Sequence, residues 1–292
     1  MTNRNVLIAI FGADGQLGMD LQKALNKHRV EPLTYQDVDI LDRARVGEIL
    51  SAMKPDWVIN AAALTHVDWC ESNDVKAFQV NALGARHVAE SALPANSRII
   101  QISTDYVFDG SKVSPYTEDD TPRPLNVYGI TKLAGEHYVR SVHPGHYIIR
   151  TSGLYGTHPC WGKKRNFVDT MLALGREKGE VRVVCDETLT PTFAEDLAGQ
   201  ITRLIETEPL PGIYHATNAG ECSWHEFAKA IFELSGTAVR LEKTTAREWN
   251  APARRPGYSV LENAALQQAG IDAMPHWRDA LTRYLSKKSA AK

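Results

Sequence analysis

The stretch "VLIAIFGADGQLG", residues 6 to 18, decides the fold of this chain. Its apolar first half has the length and composition of a buried β-strand, and its second half opens a helical pattern. Gly12, Gly15 and Gly18 stand at G-x-x-G-x-x-G spacing between the two. Glycine there permits a tight turn, a close approach of backbone N–H groups to a pyrophosphate, and close packing of helix on strand. The stretch therefore favours a dinucleotide-binding turn over a merely structural one.

Outward from this turn, short apolar runs alternate with helical periodicity as far as residue 155. Further strands are predicted at "VEPLTY" (30–35), "DWVINAA" (56–62), "RIIQIS" (98–103) and "YIIRTS" (147–152). The order predicts an α/β fold, a Rossmann-type doubly wound parallel sheet covered on both faces. The looser second half predicts a smaller C-terminal α/β substrate lobe, with some elements returning to the main sheet. We expect an NAD(P)-binding domain over residues 1–155 and the lobe over 156–292.

Charge and hydropathy restrict the possible partners. The chain has 292 residues and a formal net charge of −2, with a pI near 6.6. It lacks the basic surface typical of proteins that bind nucleic acid or acidic membranes, so small molecules are the expected partners. Its apolar runs are too short to span a bilayer, and the first lacks a signal-peptide cleavage pattern. We expect a soluble, cytoplasmic protein.

The choice between NADH and NADPH stays open in the sequence. An acidic residue at the end of the second strand favours NAD, whereas a nearby arginine favours NADP. That strand is predicted to end near Tyr35, with neither signal, and Asp39 and Ile40 follow slightly later. Small residues from Asn60 to Thr65 end the third strand and are predicted to form a wall of the dinucleotide cleft.

A second constellation follows the fourth strand. Residues 103–110, "STDYVFDG", place Ser103 and Thr104 at the carboxyl end of that strand, where parallel sheets bind ligands. In "NVYGITKLAGEHY" (126–138), Tyr128 and Lys132 lie on one helix face. An ammonium stabilises a neighbouring phenolate, so the phenol can serve as an acid or base. A tyrosine–lysine pair alone is more often a surface pair, but the glycine turn and the strand-end hydroxyl favour catalysis.

Five motifs together carry a family resemblance: "GADGQLG" (12–18), "NAAALTHVD" (60–68), "STDYVFDG", "NVYGITKLAGE" (126–136) and "RTSGLYG" (150–156). With them the chain resembles the extended short-chain dehydrogenase/reductases, most closely their dTDP-4-dehydrorhamnose reductase branch. The similarity continues in "DETLTPT" (186–192), "GIYHATNAGECSWHEFA" (212–228) and "RRPGYSVL" (254–261). It implies an enzyme in which NADPH or NADH reduces the C4 keto group of dTDP-4-dehydro-β-L-rhamnose to give dTDP-β-L-rhamnose, for cell-surface polysaccharide biosynthesis.

The resemblance also implies which residues form the site. The catalytic set is Thr104, Tyr128 and Lys132. The residues expected to contact the cofactor are Gly12, Asp14, Gly15, Gln16, Leu17, Gly18, Asp39, Ile40, Ala62, Ala63 and Thr65, with Tyr128 and Lys132. The residues expected to contact the substrate are Val67, Thr104, Asp105, Tyr106, Gly153, Asn166 and Arg255. No metal is predicted, because the histidines show no H-E-x-x-H spacing. A homodimer is possible.

Departures from the branch keep alternatives open. Gly153 stands where the branch usually has tryptophan, and Leu189 where it favours glycine. The segment "THPCWGKKRN" (157–166) is longer than usual. There Trp161 is predicted as a replacement ring or a plain anchor, and Lys163, Lys164 and Arg165 as diphosphate ligands or a solvated face. The alternatives are a reductase of a different nucleotide-linked 4-ketosugar, or a non-catalytic NADP-binding regulatory subunit like that of methionine adenosyltransferase.

Overall fold

The computed structural model describes residues 5–158 and 165–290. Its strands are β1 (Leu7–Phe11), β2 (Arg29–Leu33), β3 (Trp57–Asn60), β4 (Arg98–Thr104), β5 (His146–Thr151), β6 (Leu154–Tyr155), β7 (Glu180–Val184), β8 (Thr188–Leu189), β9 (Thr192–Phe193), β10 (Gly212–His215), β11 (Cys222–Ser223) and β12 (Arg240–Thr244).

The helices are α1 (Gln16–Ala24), α2 (Arg43–Met53), α3 (Val67–Ser72), α4 (Asp74–Phe78), α5 (Ala85–Ala92), α6 (Val127–Val142), α7 (Phe167–Lys178), α8 (Ala194–Thr207), α9 (Trp224–Ser235), α10 (Ala246–Trp249), α11 (Ala264–Gln268) and α12 (Trp277–Ala290). A π-helical segment (Gln79–Gly84) joins α4 to α5, and a 3₁₀ turn (Asp105–Val107) follows β4. In the described part of the chain, no helix is long and apolar enough to cross a membrane.

The main sheet has six strands in the order β10-β5-β4-β3-β1-β2. Each neighbouring pair in it is parallel. Alternate residues of β1 point to opposite faces, as the pleat of a strand requires. Ile8 and Ile10 belong to one apolar cluster, together with Leu21 of α1 and Leu197 of α8. Phe11 belongs to another on the opposite face. The prediction of a Rossmann-type parallel sheet covered on both faces is confirmed.

The second strand ends earlier than the sequence pattern predicts. It stops at Leu33, whereas the predicted strand "VEPLTY" continues to Tyr35. The Asp37 carboxylate accepts hydrogen bonds from the Thr34 backbone N–H at 2.8 Å and from the Thr34 hydroxyl at 2.7 Å. This turn diverts the backbone from the strand direction, and Tyr35 is left 59% exposed.

The second half of the chain contributes to two bodies of structure. A separate apolar cluster forms around Phe193, Phe227 and Tyr284, from β9, α9 and α12. The strand β10 instead joins the main sheet beside β5, with Ile213 opposite Ile148. The carboxyl ends of β4, β5 and β10 therefore meet at one edge of the sheet, where they position the candidate site.

Candidate active site

The glycine turn between β1 and α1 depends on two glycines. Gly12 has φ +76°, and a Cβ there would lie 2.7 Å from the backbone nitrogen of Ala62. At Gly18, a Cβ would lie 2.7 Å from the Cα of Ala13. Both positions need glycine because only hydrogen fits against the neighbouring backbone. Gly15 is the N-cap of α1, and within the described chain no side chain caps this helix. Its first N–H groups remain available to an anion.

The residues beside this turn differ in their surroundings. Gln16 is 7% exposed, and its Oε1 has no hydrogen-bond partner among the described residues. A buried amide oxygen of this kind fits a site that receives a polar ligand. Leu17 is buried in the apolar cluster beneath α1, whereas Asp14 is exposed. The backbone cradle is compatible with a bound dinucleotide diphosphate, and the unpartnered amide oxygen, which is an acceptor, is compatible with a hydroxyl or amide donor of the same ligand.

The predicted adenosine side of the cleft is formed by segments that follow β2 and β3. The Asp39 carboxylate accepts a hydrogen bond from the Leu41 backbone N–H at 2.9 Å, and Ile40 is 5% exposed. Ala62, Ala63 and Thr65 are half-buried. The Asn81 side chain holds the backbone of this segment from the π-helical turn, because it bonds both the N–H and the C=O of Leu64 at 2.9 and 3.1 Å. The wall is thus fixed in position.

At the end of β4, the side chains of Thr104 and Asp105 are buried and hydrogen-bonded to one another. The Thr104 hydroxyl donates to Asp105 Oδ1 at 3.0 Å and accepts from the Tyr106 N–H at 3.2 Å. The other oxygen, Asp105 Oδ2, accepts from Ser152 at 2.8 Å and from Ser259 at 2.6 Å. Burial raises the pKa of the Asp105 carboxyl to about 6, against these three hydroxyl donors, which favour the carboxylate.

Helix α6 carries the tyrosine and the lysine onto this strand end. Asn126 caps the helix by accepting from the Gly129 N–H at 2.8 Å. One turn further, the Lys132 ammonium is buried and donates to the Ile102 carbonyl oxygen at 2.6 Å. Burial lowers the pKa of Lys132 to about 8, and the nearby Glu136 carboxylate opposes that shift. Tyr128 is half-buried, with its ring 6.1 Å from that of Tyr106 in an edge-to-face arrangement. We call Thr104, Tyr128 and Lys132 the reaction cluster.

The predicted substrate residue Arg255 lies in a second cluster. Its Nη2 donates to both carboxylate oxygens of Asp68 at 3.0 Å, and its Nη1 donates to the Ala253 carbonyl at 2.9 Å. Glu187 is 7% exposed, and burial raises its pKa to about 7 against the attraction of Arg255. The sequence prediction missed Asp68 and Glu187, although they stand in the motifs "NAAALTHVD" and "DETLTPT". We call Asp68, Glu187 and Arg255 the arginine cluster. Val67, which begins α3, is the half-buried neighbour of Asp68.

The two positions at which the chain departs from its branch are in contact. Gly153 has φ +52°, and a Cβ there would lie 2.7 Å from the Leu189 Cδ1. Leu189 is itself buried. The Leu189 side chain thus occupies the space beside Gly153. The larger residue at 189 and the absence of a side chain at 153 therefore belong to the same local change in packing.

Asn166 lies further into the small lobe. Its Oδ1 caps α7 by accepting from the Asp169 N–H at 2.9 Å, and its Nδ2 donates to Gly156 O at 2.8 Å and the Tyr284 hydroxyl at 3.1 Å. These bonds engage the whole amide, so its contact with a substrate stays a prediction.

Part of the predicted cationic segment falls outside the described residues, namely Trp161, Lys163 and Lys164. Arg165 is described, and its Nη1 lies 3.9 Å from the exposed Glu177 carboxylate. Among residues 5–158 and 165–290, no group of three or more His, Cys, Asp or Glu side chains could hold a metal ion.

The parallel sheet, the glycine turn and the tyrosine–lysine helix docked at a strand end define a Rossmann-type short-chain dehydrogenase/reductase. The family model for the RmlD substrate binding domain matches residues 6–290. The chain belongs to the RmlD family, the dTDP-4-dehydrorhamnose reductase branch that its motifs resemble, and that prediction is confirmed.

Named relatives agree with this assignment. The chain is 40% identical to the dTDP-4-dehydrorhamnose reductase of Streptomyces griseus, over 94% of this chain and 91% of the relative. It is 36% identical to the dTDP-4-keto-6-deoxy-D-glucose reductase of Streptomyces niveus, over 94% of each. The crystal structure of dTDP-4-dehydrorhamnose reductase from Bacillus anthracis in complex with NADP superimposes with a TM-score of 0.93. It is 38% identical and covers 97% of this chain and 100% of that one.

Proposed function

We propose that this protein is an NADPH- or NADH-dependent reductase of a nucleotide-linked ketosugar. The proposed reaction reduces the C4 keto group of dTDP-4-dehydro-β-L-rhamnose to the hydroxyl of dTDP-β-L-rhamnose. Membership of the RmlD family supports the substrate class, and the Bacillus anthracis complex supports the nicotinamide cofactor.

One hydrogen bond gives the main geometric support for this proposal. The Lys132 ammonium donates to the Ile102 carbonyl at 2.6 Å, two residues before Thr104. This contact docks the first turns of α6 on the end of β4, which supports our proposal that the phenol of Tyr128 and the hydroxyl of Thr104 act at one site. A carbonyl oxygen between these hydroxyls would have a proton donor and a hydrogen-bond donor together.

The chain's own residues fit the cofactor at the glycine turn. Gly12 and Gly18 allow close backbone approach, the open N-terminus of α1 attracts the diphosphate, and Gln16 Oε1 offers a buried acceptor. Reduced nicotinamide, when bound, supplies the hydride that C4 of the sugar accepts. Lys132 uses one of its three N–H donors on Ile102, so the other two are available to a ribose hydroxyl and to the Tyr128 oxygen.

Tyr128 donates the proton in the proposed reaction. As C4 gains the hydride, its oxygen develops negative charge and takes the phenolic proton, so the ketone becomes a secondary alcohol. The Lys132 ammonium stabilises the phenolate that remains. The Thr104 hydroxyl turns from Asp105 Oδ1 to the substrate oxygen, while Asp105 keeps its bonds from Ser152 and Ser259.

A different nucleotide-linked 4-ketosugar is the second candidate substrate. The Streptomyces niveus relative, named for another ketosugar, supports it, as does the contact between Gly153 and Leu189. A wall rebuilt by these two residues would change which sugar or base fits, while the reaction cluster keeps the same chemistry.

The test is the loss of nicotinamide absorbance with purified protein and a panel of nucleotide-linked 4-ketosugars, each assayed with NADPH and with NADH. Turnover highest with dTDP-4-dehydro-β-L-rhamnose supports the main proposal, and a higher kcat/KM for another ketosugar supports the second. Protein that binds NADPH but oxidises none with any ketosugar would contradict both and leave the regulatory-subunit alternative.

Three further statements remain proposals. The division into an NAD(P)-binding domain over residues 1–155 and a substrate lobe over 156–292 is supported by the separate apolar cluster around Phe227 and Tyr284. The homodimer and the cytoplasmic location stay predictions. Sedimentation of the purified protein and fractionation of cells that produce it would test these two.

A further inference from the structure

A buried ion pair lies directly behind the reaction cluster. Glu136 stands one helical turn after Lys132 on α6, and Arg150 lies on β5. Arg150 donates from Nε to Glu136 Oε1 at 3.0 Å and from Nη2 to Oε2 at 2.7 Å. Their side chains are 1% and 2% exposed. Both carboxylate oxygens are thus fixed by one planar guanidinium.

The same carboxylate is bonded to the strand that carries Thr104. Ser103 donates to Glu136 Oε1 at 2.5 Å. The neighbouring residue of β4, Ile102, accepts from Lys132. Consecutive residues of β4 therefore hold consecutive turns of α6, immediately before the threonine. A shift of Glu136 would move the helix and the strand end relative to each other.

The network continues across the sheet to β10. Arg150 Nη1 lies 3.5 Å from the Nε2 of His215, whose Nδ1 lies 3.1 Å from the carbonyl oxygens of Tyr116 and Glu262. Burial lowers the pKa of His215 to about 3, and the charge of Arg150 acts in the same direction, so the ring is neutral. Within the described part of the chain, the carboxylate that the guanidinium hydrogen-bonds in this network is that of Glu136.

We propose that Glu136 is a positioning residue for the reductase: it fixes α6 against the end of β4 and presents a negative charge to Lys132. The inference rests on the proposed function, because it assigns Glu136 a role in that reaction. A buried ion pair is not by itself a reason for stability, since apolar residues of similar volume often serve as well. Its bonds to the segments that carry Thr104 and Lys132 point instead to geometry and charge.

Charge is the part of this role that can be measured separately. Burial disfavours the ammonium of Lys132, and the Glu136 carboxylate partly offsets that effect. Charged or titratable groups on α6 and on the elements packed against it include Glu136 and Tyr128 on α6, Glu71 on α3, Arg86 and Glu90 on α5, Asp105 and Tyr106 after β4, and Arg150 on β5. Among these, Glu136 is the group that favours the charged amine.

The test is the pH dependence of kcat/KM in E136Q. We expect the wild-type value to fall above about pH 8, as Lys132 loses its proton. Loss of the negative charge of Glu136 in E136Q should move this decrease in kcat/KM to lower pH by about one unit. Removing one partner of a buried pair is strongly destabilising, so E136Q/R150M is measured beside it, because it leaves no unpaired charge. The double variant should show a smaller shift in the same direction.

A control variant separates position from stability. D196N breaks the ion pair between Asp196 and Arg283 on α8 and α12, and it should leave the alkaline fall where the wild type has it. A folded E136Q/R150M with the wild-type pH dependence would overturn the inference while the proposed function stands. If the wild type reduces no ketosugar, the proposed function fails. The role of Glu136 is then tested on the NADPH dissociation constant, measured by nicotinamide fluorescence, whose pH dependence should shift to lower pH in E136Q as described for kcat/KM.

Discussion

The reaction cluster and the arginine cluster are assembled in different ways. In the first, Lys132 bonds a carbonyl only 30 residues away in the chain. In the second, Arg255 bonds a carboxylate 187 residues away. The first is built between neighbouring units of one repeating strand–helix pattern. The second exists only when the C-terminal segment has folded back onto α3.

We expect this difference to separate chemistry from selectivity in the molecule. The reaction cluster rests on strands of the main sheet and is held by buried polar contacts. In the arginine cluster, Glu187 and Arg255 lie in loops, which tolerate change more readily, whereas Asp68 lies on α3. Of the two positions where the chain departs from its branch, Gly153 lies in the short connection between β5 and β6, and Leu189 ends the two-residue strand β8. We therefore expect substitutions in the first region to change rate, and those in the second to change substrate affinity.

Tyr128→Phe tests the reaction cluster and should have the largest effect of the variants considered. Removing the phenolic proton should lower kcat by roughly a thousandfold, the range for loss of a general acid, while NADPH binding is kept. Stopped-flow oxidation of NADPH measures the first, and nicotinamide fluorescence titration the second. Tyr138→Phe, on the same helix against Arg86, is the matched control and should behave as the wild type. A Tyr128→Phe enzyme with near-normal kcat would remove Tyr128 from the reaction.

Arg255→Gln tests the second region. If Arg255 binds the substrate diphosphate, its loss should raise KM for the nucleotide sugar by roughly 10- to 100-fold, the worth of one or two charge-assisted hydrogen bonds. The value of kcat should change little. Steady-state kinetics at saturating cofactor give both constants. Arg254→Gln, next to it and exposed, should leave KM unchanged. A decrease in kcat without a change in KM would assign Arg255 to the reaction cluster and contradict the distinction between residues that affect rate and residues that affect substrate affinity.

Asp105 joins the two regions, since it accepts from Thr104 and also from Ser259 of the C-terminal segment. Its folded pKa, about 6, lies above the ordinary value of 3.8, so between these values the folded state binds more protons than the unfolded state. Its contribution to stability is therefore present at low pH and lost as pH rises through 6. From pH 4 to 7, the wild type should lose roughly 2 kcal/mol of unfolding free energy relative to Asp105→Asn.

Urea unfolding at both pH values measures this loss. In the control, Asp37→Asn removes a carboxylate whose pKa is lowered by hydrogen bonds from Thr34. As pH rises, the wild type should therefore gain, not lose, unfolding free energy relative to Asp37→Asn. Parallel curves for Asp105→Asn and the wild type would show that Asp105 does not titrate in this window.

The smallest expected effect concerns the contact between Gly153 and Leu189. Gly153→Ala adds a side chain at φ +52° against the Leu189 Cδ1, and it should cost about 1–2 kcal/mol of unfolding free energy. Leu189→Ala in the same chain should recover the steric part, so that the two changes are not additive. Gly212→Ala is the matched control, because a Cβ there has nothing within 4 Å. Additive losses in urea unfolding would mean that the two residues are independent.

The sheet was predictable because its information is local. The central strands β1, β3, β4 and β5 are largely apolar runs of the right length, and the periodicity of the intervening helices predicts their buried faces, such as Leu17 and Leu21 on α1. Ser223 and Glu226 form a capping box at the start of α9, another feature that depends on residues close together in the sequence. The end of β2 was missed because the Thr34–Asp37 turn ends the strand two residues before the segment "VEPLTY" does.

The arginine cluster could not be derived in the same way. The pairing of Asp68 with Arg255 depends on how a loop from the second half crosses the first, and no periodicity encodes that path. Glu187 looks like any acidic loop residue in the sequence, and only its burial distinguishes it. Gly153 and Leu189 were each noted in the sequence, but their contact is a product of the tertiary structure.

The place of β10 at the edge of the main sheet has a consequence for synthesis of the protein. When the ribosome has completed β5, one side of that strand has an unsatisfied row of backbone amides and carbonyls, and it stays so until residue 215 has emerged. Some sixty codons of translation separate the two events. During that interval the nascent chain exposes a template for pairing with other chains, and this is the stage at which a chaperone would be most useful to it.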